Sequence, residues 1–303
     1  MRIGIDLGGT KIAGIALGDD GESLWSERVA SPSGDYARLV EAIAGLIARA
    51  EQAVGRRGSV GIGIPGAVDP TTGLVKNANT TVLIGKPFDR DMAARLGRPV
   101  RLANDANCLV QSEASDGAAA GAGLAFGVIL GTGVGGGLAF HGRLREGPNA
   151  IAGEWGHNPL PWPAAGELPG DPCYCGKRGC IETFLSGPGL ARDYAAAGGG
   201  VCTPPEIVAA AASGEAAAEA ALARYEDRLA RALASVINIL DPDVIVLAGG
   251  LSQIPRLYER VPLLWRRYVF SPQPPRTRLV PALHGDASGV RGAAWLWPAG
   301  TRA

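Results

Sequence analysis

Three cysteines, Cys173, Cys175 and Cys180, fall within eight residues of this chain, and His157 precedes the first by fifteen intervening positions. One imidazole and three thiolates form a suitable tetrahedral donor set for Zn²⁺. Gly176 and Gly179 let the chain bend back between the thiols. Four protein ligands make a closed site, so such an ion would be structural and not a Lewis acid for a reaction. The alternative is a set of reduced, unligated thiols. Five cysteines are an odd count and do not suggest a disulfide framework. Cys108 and Cys202 read as ordinary residues.

Carboxylates flank the cysteine motif. Glu154 stands three residues before His157, and Glu182 two after Cys180. A metal-pinned loop would hold both rigidly, and carboxylates and amides suit sugar hydroxyls because each accepts or donates in fixed directions. Asn77 and Asn79 have the same capacity. For all four, the plain alternative is a solvated loop side chain. Asp105 follows Asn104 at the end of an apolar run, and strand ends in α/β folds face clefts. A carboxylate there can accept a proton from a substrate hydroxyl. It can equally cap the next helix, which spacing alone favours.

Glycine turns form a second kind of site. In Asp6-Leu7-Gly8-Gly9-Thr10-Lys11 a carboxylate ends a strand and two glycines follow. Turns of this kind let backbone N–H groups approach an anion, and the acid can hold a hydrated Mg²⁺; an ordinary hairpin with an Asp cap is the alternative. Gly131–Gly137 repeats the theme. Both it and Gly61–Gly66 match G-x-G-x-x-G, but a dinucleotide site needs those glycines to open a helix within a βαβ unit. Leu138–Phe140 reads as strand, and Pro65 and Pro70 break any helix after Gly66, so both matches are set aside. A P-loop is also absent, because Gly9 is followed by Thr10 and not by the lysine that G-x-x-x-x-G-K-[ST] requires. In Leu247–Ser252, Gly249 and Gly250 would let the flat face of a base lie against backbone, or simply make a strand-to-helix turn.

The elements that must position these residues alternate between strand and helix. Strands are expected at Met1–Asp6, Lys11–Leu17 and Leu24–Val29, an antiparallel meander, then at Ser59–Ile64, Val100–Ala103, Leu124–Leu130, Leu138–Phe140 and Val244–Ala248. Helices are expected over Asp35–Val54, where apolar residues recur at helical spacing, and over Asp89–Leu96, Ala106–Ala120, Thr203–Ser213, Gly214–Leu240, Pro255–Tyr268 and Ser288–Trp297. Gly131–Gly137 is expected as a turn and Arg143–Pro188 as loop. The recurrence of strand, glycine turn and strand suggests two related α/β domains with a cleft between them. The 303 residues are 47% hydrophobic and 19% charged, which suits a soluble globular protein. Zero formal net charge and no basic stripe argue against nucleic acid as partner. No apolar run reaches the ~18 residues that a membrane span needs, and the N-terminus lacks the features of a secretion signal, so a cytoplasmic location is expected.

Together the motifs resemble the ROK family (repressor, open reading frame, kinase) along the whole chain. Asp6–Lys11 and Gly131–Gly137 look like its two phosphate motifs and Leu247–Ser252 like its adenosine motif. Glu154-Trp155-Gly156-His157 followed by Cys173–Glu182 looks like its zinc-and-sugar signature. The resemblance implies an α/β, actin-like ATPase (ribonuclease H-like) fold, with a small domain over 1–117, a large one over 118–288, and a last helix, about 289–303, packing back on the first. It implies MgATP and structural Zn²⁺ as cofactors and transfer of the γ-phosphoryl group to the 6-hydroxyl of a hexose. Asp105 would be the base. Gly66, Asn79, Asn104, Glu154, His157 and Glu182 would meet the sugar, His157 serving the zinc as well. Asp6, Gly8, Gly9, Thr10, Lys11, Gly131, Thr132, Gly133, Gly135, Gly136, Gly249 and Gly250 would meet the nucleotide. A homodimer is the family expectation. The likeness is nearest to bacterial fructokinases of the manno(fructo)kinase type, through Val75–Thr80, Arg101–Asn107 and Glu154–Trp162, so fructose is the expected sugar. N-acetylglucosamine kinases, which share Gly61–Gly66 and His284-Gly285-Asp286, and glucokinases are the alternatives. The rivals of another class are a ROK regulator, which would need a helix-turn-helix before Asp6, and an inactive sugar-binding protein, which would have lost Asp6, Asp105 or the glycines.

Overall fold

The computed structural model describes residues 1–32, 34–78 and 80–298. The chain opens with strands β1 (Arg2–Leu7), β2 (Lys11–Leu17) and β3 (Ser23–Ala30), helix α1 (Tyr36–Val54), strands β4 (Ser59–Ile64), β5 (Ala67–Val68) and β6 (Val75–Lys76), helix α2 (Phe88–Leu96), strand β7 (Val100–Asn104) and helix α3 (Asp105–Asp116). It continues with β8 (Leu124–Leu130), β9 (Val134–Phe140) and β10 (Arg143–Leu144), then α4 (Ile181–Leu185), α5 (Gly187–Tyr194), α6 (Pro204–Ala212) and α7 (Ala216–Leu240), then β11 (Val244–Ala248), α8 (Arg256–Leu264), β12 (Arg278–Pro281) and α9 (Ser288–Trp295). These form two compact units. One comprises Met1–Gly121, Gly137–Ala152 and Leu283–Ala303, and the other Ala122–Gly136 and Gly153–Ala282. The stretch 137–152, expected with the second domain, thus groups with the first.

Two five-stranded sheets share one plan. The first has the order β3-β2-β1-β4-β7, and the second β10-β9-β8-β11-β12. In the first, β1, β2 and β3 are the expected antiparallel meander, and β4 and β7 continue parallel to β1. In the second, β11 runs parallel to both β8 and β12. The repeated glycine-hairpin pattern in the sequence therefore does correspond to repeated topology.

Alternation along β1 explains how the first unit is layered. Ile3, Ile5 and Leu7 point to one face and join Leu39, Ile43, Leu46 and Ile47 of α1 in one core. Arg2, Gly4 and Asp6 point to the other face, which α9 covers. There the Arg2 guanidinium stacks 3.8 Å from the Trp295 ring centroid. A Cβ on Gly4 would collide with the Val290 carbonyl, and one on Gly61 with the Ala293 carbonyl. Gly292 of α9 in turn meets the Cys108 backbone of α3. Helix α9 can thus lie close against the sheet only because these positions lack side chains. Glu113, fully buried on α3, fixes the approach to α9 by accepting the Leu283 N–H at 2.9 Å and the Ser288 hydroxyl at 2.8 Å.

Several expected boundaries move. The turn expected over Gly131–Gly137 shrinks to residues 131–133, because β9 begins at Val134 and contains the last three glycines. Gly136 leaves room for the Trp155 ring and Gly137 for the Ala106 carbonyl, so these glycines serve packing and not a turn. Helix α3 ends at Asp116, four residues short of the expected end. Helices α4 and α5 begin inside the stretch expected as loop. Pro188 has the type of a breaker, yet it occupies the first turn of α5, where proline is tolerated. Helix α8 gives way after Leu264 to a 3₁₀ turn, Trp265–Arg267. The short strands β5, β6 and β12 carried no readable alternation. Replacing Gly61 with alanine should destabilise the protein by roughly 1–3 kcal/mol through overpacking against α9; denaturant unfolding of G61A against the parent measures it.

Candidate active site

Strand register brings the first group together. Asp6 pairs with Gly63 of β4, and Gly63 with Ala103 of β7, so Asp6 and the β7–α3 junction share the carboxyl edge of the parallel strands. This is the edge at which open α/β sheets bind ligands. Asn104 is the N-cap of α3, its side-chain oxygen accepting the Asn107 N–H at 2.7 Å. The capping role that spacing offered to Asp105 is therefore filled by its neighbour. Asp105 is the first helical residue; solvent reaches it, yet protein surrounds its carboxyl closely, and its Oδ1 accepts the Ala106 N–H at 2.8 Å. Desolvation holds its carboxyl above the ordinary carboxylate range, with the Ala106 N–H pulling the other way. Asp6 is raised from 3.8 to about 6, first by desolvation and then by the negative charge of Asp105, with Arg28 opposing.

The β1–β2 hairpin closes through the Gly8 N–H donating to the Lys11 carbonyl at 3.0 Å, which leaves Gly9, Thr10 and Lys11 exposed at its tip. Gly66 has φ +118°, and a Cβ there would sit 2.6 Å from the Lys76 carbonyl, so it shapes the β5–β6 hairpin. Asn77 adopts φ +55°. Asn79 lies outside the described residues.

The second group is built on β9. Trp155 donates its indole N–H to the Gly135 carbonyl at 3.1 Å and meets Phe126 edge to face with centroids 5.7 Å apart. A Cβ on Gly156 would collide with the Val134 carbonyl. The central Trp-Gly pair thus docks on the strand and sets the flanking Glu154 and His157. Backbone bonds from Leu160 to Gly179 and from Ile181 to Asn158, both 2.9 Å, then bring Cys180 beside His157. Gly176 and Gly179 take φ +85° and +67°, which gives them the bending role expected of them.

The ligating atoms of His157, Cys173, Cys175 and Cys180 all lie within 4.8 Å of one another. Cys173 Sγ is 3.5 Å from His157 Nδ1, and Cys175 Sγ is 3.6 Å from Cys180 Sγ. Tetrahedral zinc with ordinary bond lengths requires about 3.6 Å for an N–S edge and about 3.8 Å for an S–S edge. The four residues therefore fit the ion. The other imidazole nitrogen, Nε2, is 2.9 Å from the Tyr174 hydroxyl. The motif brings Glu154, His157 and Glu182 together around Tyr174, whose phenol is pushed up to about 12 by desolvation first and then by the charges of Glu182, Cys173 and Glu154. Tyr174 was not singled out from the sequence; its place between two ligating cysteines was the available signal.

The loop is also anchored to α7. Arg231 and Arg228 both bond Glu167, at 2.8 and 2.7 Å, and Arg231 also donates to the Trp162 carbonyl at 2.8 Å. Burial alone would raise the Glu167 carboxyl, yet the two arginines hold it at about 2.

The glycine hairpin between β8 and β9 lies beside the motif. Glu182 Oε2 accepts the Val134 N–H at 2.9 Å. Thr132, exposed at the hairpin tip, lines a cavity of about 400 Å³ with Glu182, Cys173, Tyr174 and Arg192. Gly249, at φ +86°, would meet the Leu130 carbonyl at 2.5 Å if it bore a side chain, and Gly250 faces open space. The two turns that family resemblance assigns to phosphate and adenosine thus follow adjacent parallel strands, β8 and β11.

Two such sheets with matching strand orders and glycine turns at the ends of their leading strands, the first with acids at its carboxyl edge, belong to the actin-like ATPase fold. The chain matches the ROK family over residues 2–299 and belongs to it. It is 43% identical over 305 residues to the N-acetyl-D-glucosamine kinase of Shigella boydii, covering 98% of this chain and 99% of that protein. It is 43% identical over 301 residues, with the same coverage, to the N-acetyl-D-glucosamine kinase of Photobacterium profundum. The ROK hexokinase from Thermus thermophilus aligns with a TM-score of 0.86 at 33% identity over 97% of each chain. A ROK family glucokinase from Streptomyces griseus, solved with glucose and AMPPNP, aligns with a TM-score of 0.76 at 29% identity over 97% of each chain.

A carboxyl raised on folding binds its proton more tightly in the folded state. Asp6 thus contributes stability in full below 3.8 and loses it as pH rises through about 6. Above that window its ionised form opposes folding by up to roughly 3 kcal/mol. D6N should remove this component, so that its stability relative to the parent is greater at pH 7 than at pH 4. Urea midpoints of both proteins across that range test it, and parallel curves would refute the assignment.

Proposed function

We propose that the chain is an ATP-dependent sugar kinase that transfers the γ-phosphoryl group of ATP to the 6-hydroxyl of N-acetyl-D-glucosamine. The observation that carries this reading is the gathering of Glu154, His157 and Glu182 by one motif, beside a glycine hairpin suited to phosphate. Support for the sugar comes from the two 43% identical relatives, both N-acetyl-D-glucosamine kinases across nearly their whole length. Fructose, the sugar expected from local likeness at Val75–Thr80, Arg101–Asn107 and Glu154–Trp162, is the second reading.

In this mechanism Asp105 accepts the proton of the attacking hydroxyl. Desolvation raises its proton affinity, which helps a general base. Asn104, Glu154, His157 and Glu182 orient the sugar, with Gly66 shaping the adjoining hairpin. Gly8, Gly9, Thr10 and Lys11 of the first hairpin, and Gly131, Thr132 and Gly133 of the second, receive the phosphates through backbone N–H groups and polar side chains. Gly135 and Gly136 support the second hairpin from β9, and Gly249 and Gly250 admit the adenosine. Asp6 would hold a hydrated Mg²⁺, which neutralises phosphate charge when bound. Transfer then depends on placement and electrostatics more than on covalent chemistry. His157, Cys173, Cys175 and Cys180 would hold Zn²⁺ as a structural ion that orders the sugar-binding loop. The homodimer expected from the family belongs to this proposal. No helix among the described residues is long and apolar enough to cross a membrane.

ADP release measured with N-acetyl-D-glucosamine, fructose, mannose and glucose should give the first a kcat/KM at least about tenfold above the others; a higher value for fructose would restore the second reading, and turnover of none would refute the kinase assignment. D105N should lower kcat by about 100-fold or more while sugar binding persists in calorimetry. C175S should lose bound zinc, read by elemental analysis, and bind sugar more weakly. Full zinc retention would show the ligand set to be wrong.

A further inference from the structure

The mechanism gives Glu182 one task, binding sugar, but its carboxylate is already engaged elsewhere. Oε2 accepts the N–H of Val134, the residue that follows the glycine hairpin, at 2.9 Å. A Cβ on Gly133 would lie 2.8 Å from the same oxygen, so the carboxylate rests directly against the hairpin backbone. The other side of the hairpin is fastened to the same segment, because the Gly131 carbonyl accepts the N–H of Gly187 at 2.7 Å. Within the hairpin, the Gly131 N–H donates to the Gly133 carbonyl at 3.0 Å. Residues 131–133 are thus held at both ends by the α4–α5 segment, whose first helical turn carries Glu182. Thr132 and Glu182 line one cavity.

We infer that Glu182 is a positioning residue for the phosphate hairpin as well as a sugar ligand, and that it couples sugar binding to nucleotide binding. This rests on the functional reading above, in which Glu182 takes a sugar hydroxyl and the hairpin takes phosphate. The sign of the coupling follows from charge. A carboxylate against a phosphate-binding turn repels the nucleotide. A sugar hydroxyl donating to that carboxylate draws off part of its charge and fixes its position, so phosphate binds more tightly. By linkage, nucleotide must then raise sugar affinity by the same factor.

The test is calorimetric titration of N-acetyl-D-glucosamine and of AMPPNP, each alone and each in the presence of the other. It uses the zinc-loaded full chain and its E182A, E182Q and G133A variants, with zinc content and thermal midpoint read alongside. In the parent, each ligand should tighten the other by about fivefold or more. E182A should bring that factor to about one. E182Q, whose neutral amide oxygen can still accept the Val134 N–H, should bind AMPPNP alone more tightly than the parent does, with a coupling factor near one. G133A keeps Glu182 but displaces its carboxylate, and it should weaken sugar binding even with no nucleotide present. In an E182A background, G133A should have no further effect on sugar. Coupling that survives in E182A, or sugar affinity unchanged in G133A, overturns the link alone. A parent that binds no N-acetyl-D-glucosamine overturns the substrate reading, and the link with it.

Discussion

Convergence of His157, Cys173, Cys175 and Cys180 on one point is the constraint on which the proposed sugar-binding segment depends. The stretch between β10 and α4 contains only short 3₁₀ turns and isolated bridges. Ordering such backbone costs roughly 1–2 kcal/mol per residue, and a loop of this length in a compact domain is usually functional. Its order here comes from cross-links that do not depend on regular structure. His157 meets Cys173, Cys175 and Cys180 at one end, Trp155 and Gly156 dock on β9, and Glu167 is held between Arg228 and Arg231 of α7. Buried arginine–carboxylate pairs add little net stability over an apolar alternative. They do fix geometry, and fixed geometry is what Glu154 and Glu182 require.

The second constraint is the absence of side chains. Alternation along β1 and β4 directs Ile3, Ile5, Val60 and Ile62 to the α1 core and leaves Gly4 and Gly61 facing α9. Because α9 can then approach closely, Gly289 at its start lies beside the Asp6 carboxylate. The environment that raises Asp6 to about 6 is thus traceable to glycines on the strands that carry and neighbour it. In the second unit, the same absence at Gly156 lets the Glu154-Trp155-Gly156-His157 segment lie on β9.

Much of this was legible in the sequence because local chemistry and tertiary role agree. The span of α1 was readable from its apolar spacing, and the structure adds the Asp35 cap and the Gly55 terminator at φ +73°. The meeting of His157, Cys173, Cys175 and Cys180 was readable because their types and spacing suit a single ion. What escaped reading depended on distant partners. Gly135, Gly136 and Gly137 have the composition of a turn, and only the Trp155 ring and the α3 backbone explain why they form strand. Pro188 has the look of a terminator, and only its place in the first turn of α5 removes the conflict. Asn104 and Asp105 are equally good caps by type, and the chain's path at the end of β7 chooses Asn104. The bond from Val134 to Glu182 joins positions 48 residues apart, and no local pattern marks it.

The two glycine hairpins share a topology but use their acids in opposite ways. In the first, the acid lies on the strand that enters the turn: Asp6 is sequestered, and its charge suits a cation between it and phosphate. In the second, no acid lies in the hairpin or its strands; one arrives from the sugar-binding segment and is held by the Val134 N–H. In the proposed kinase, the first arrangement would tie phosphate binding to a cation at Asp6, and the second to what else binds the visiting carboxylate. A duplicated fold thus yields two glycine turns whose electrostatic surroundings differ according to where each carboxylate is attached to the chain.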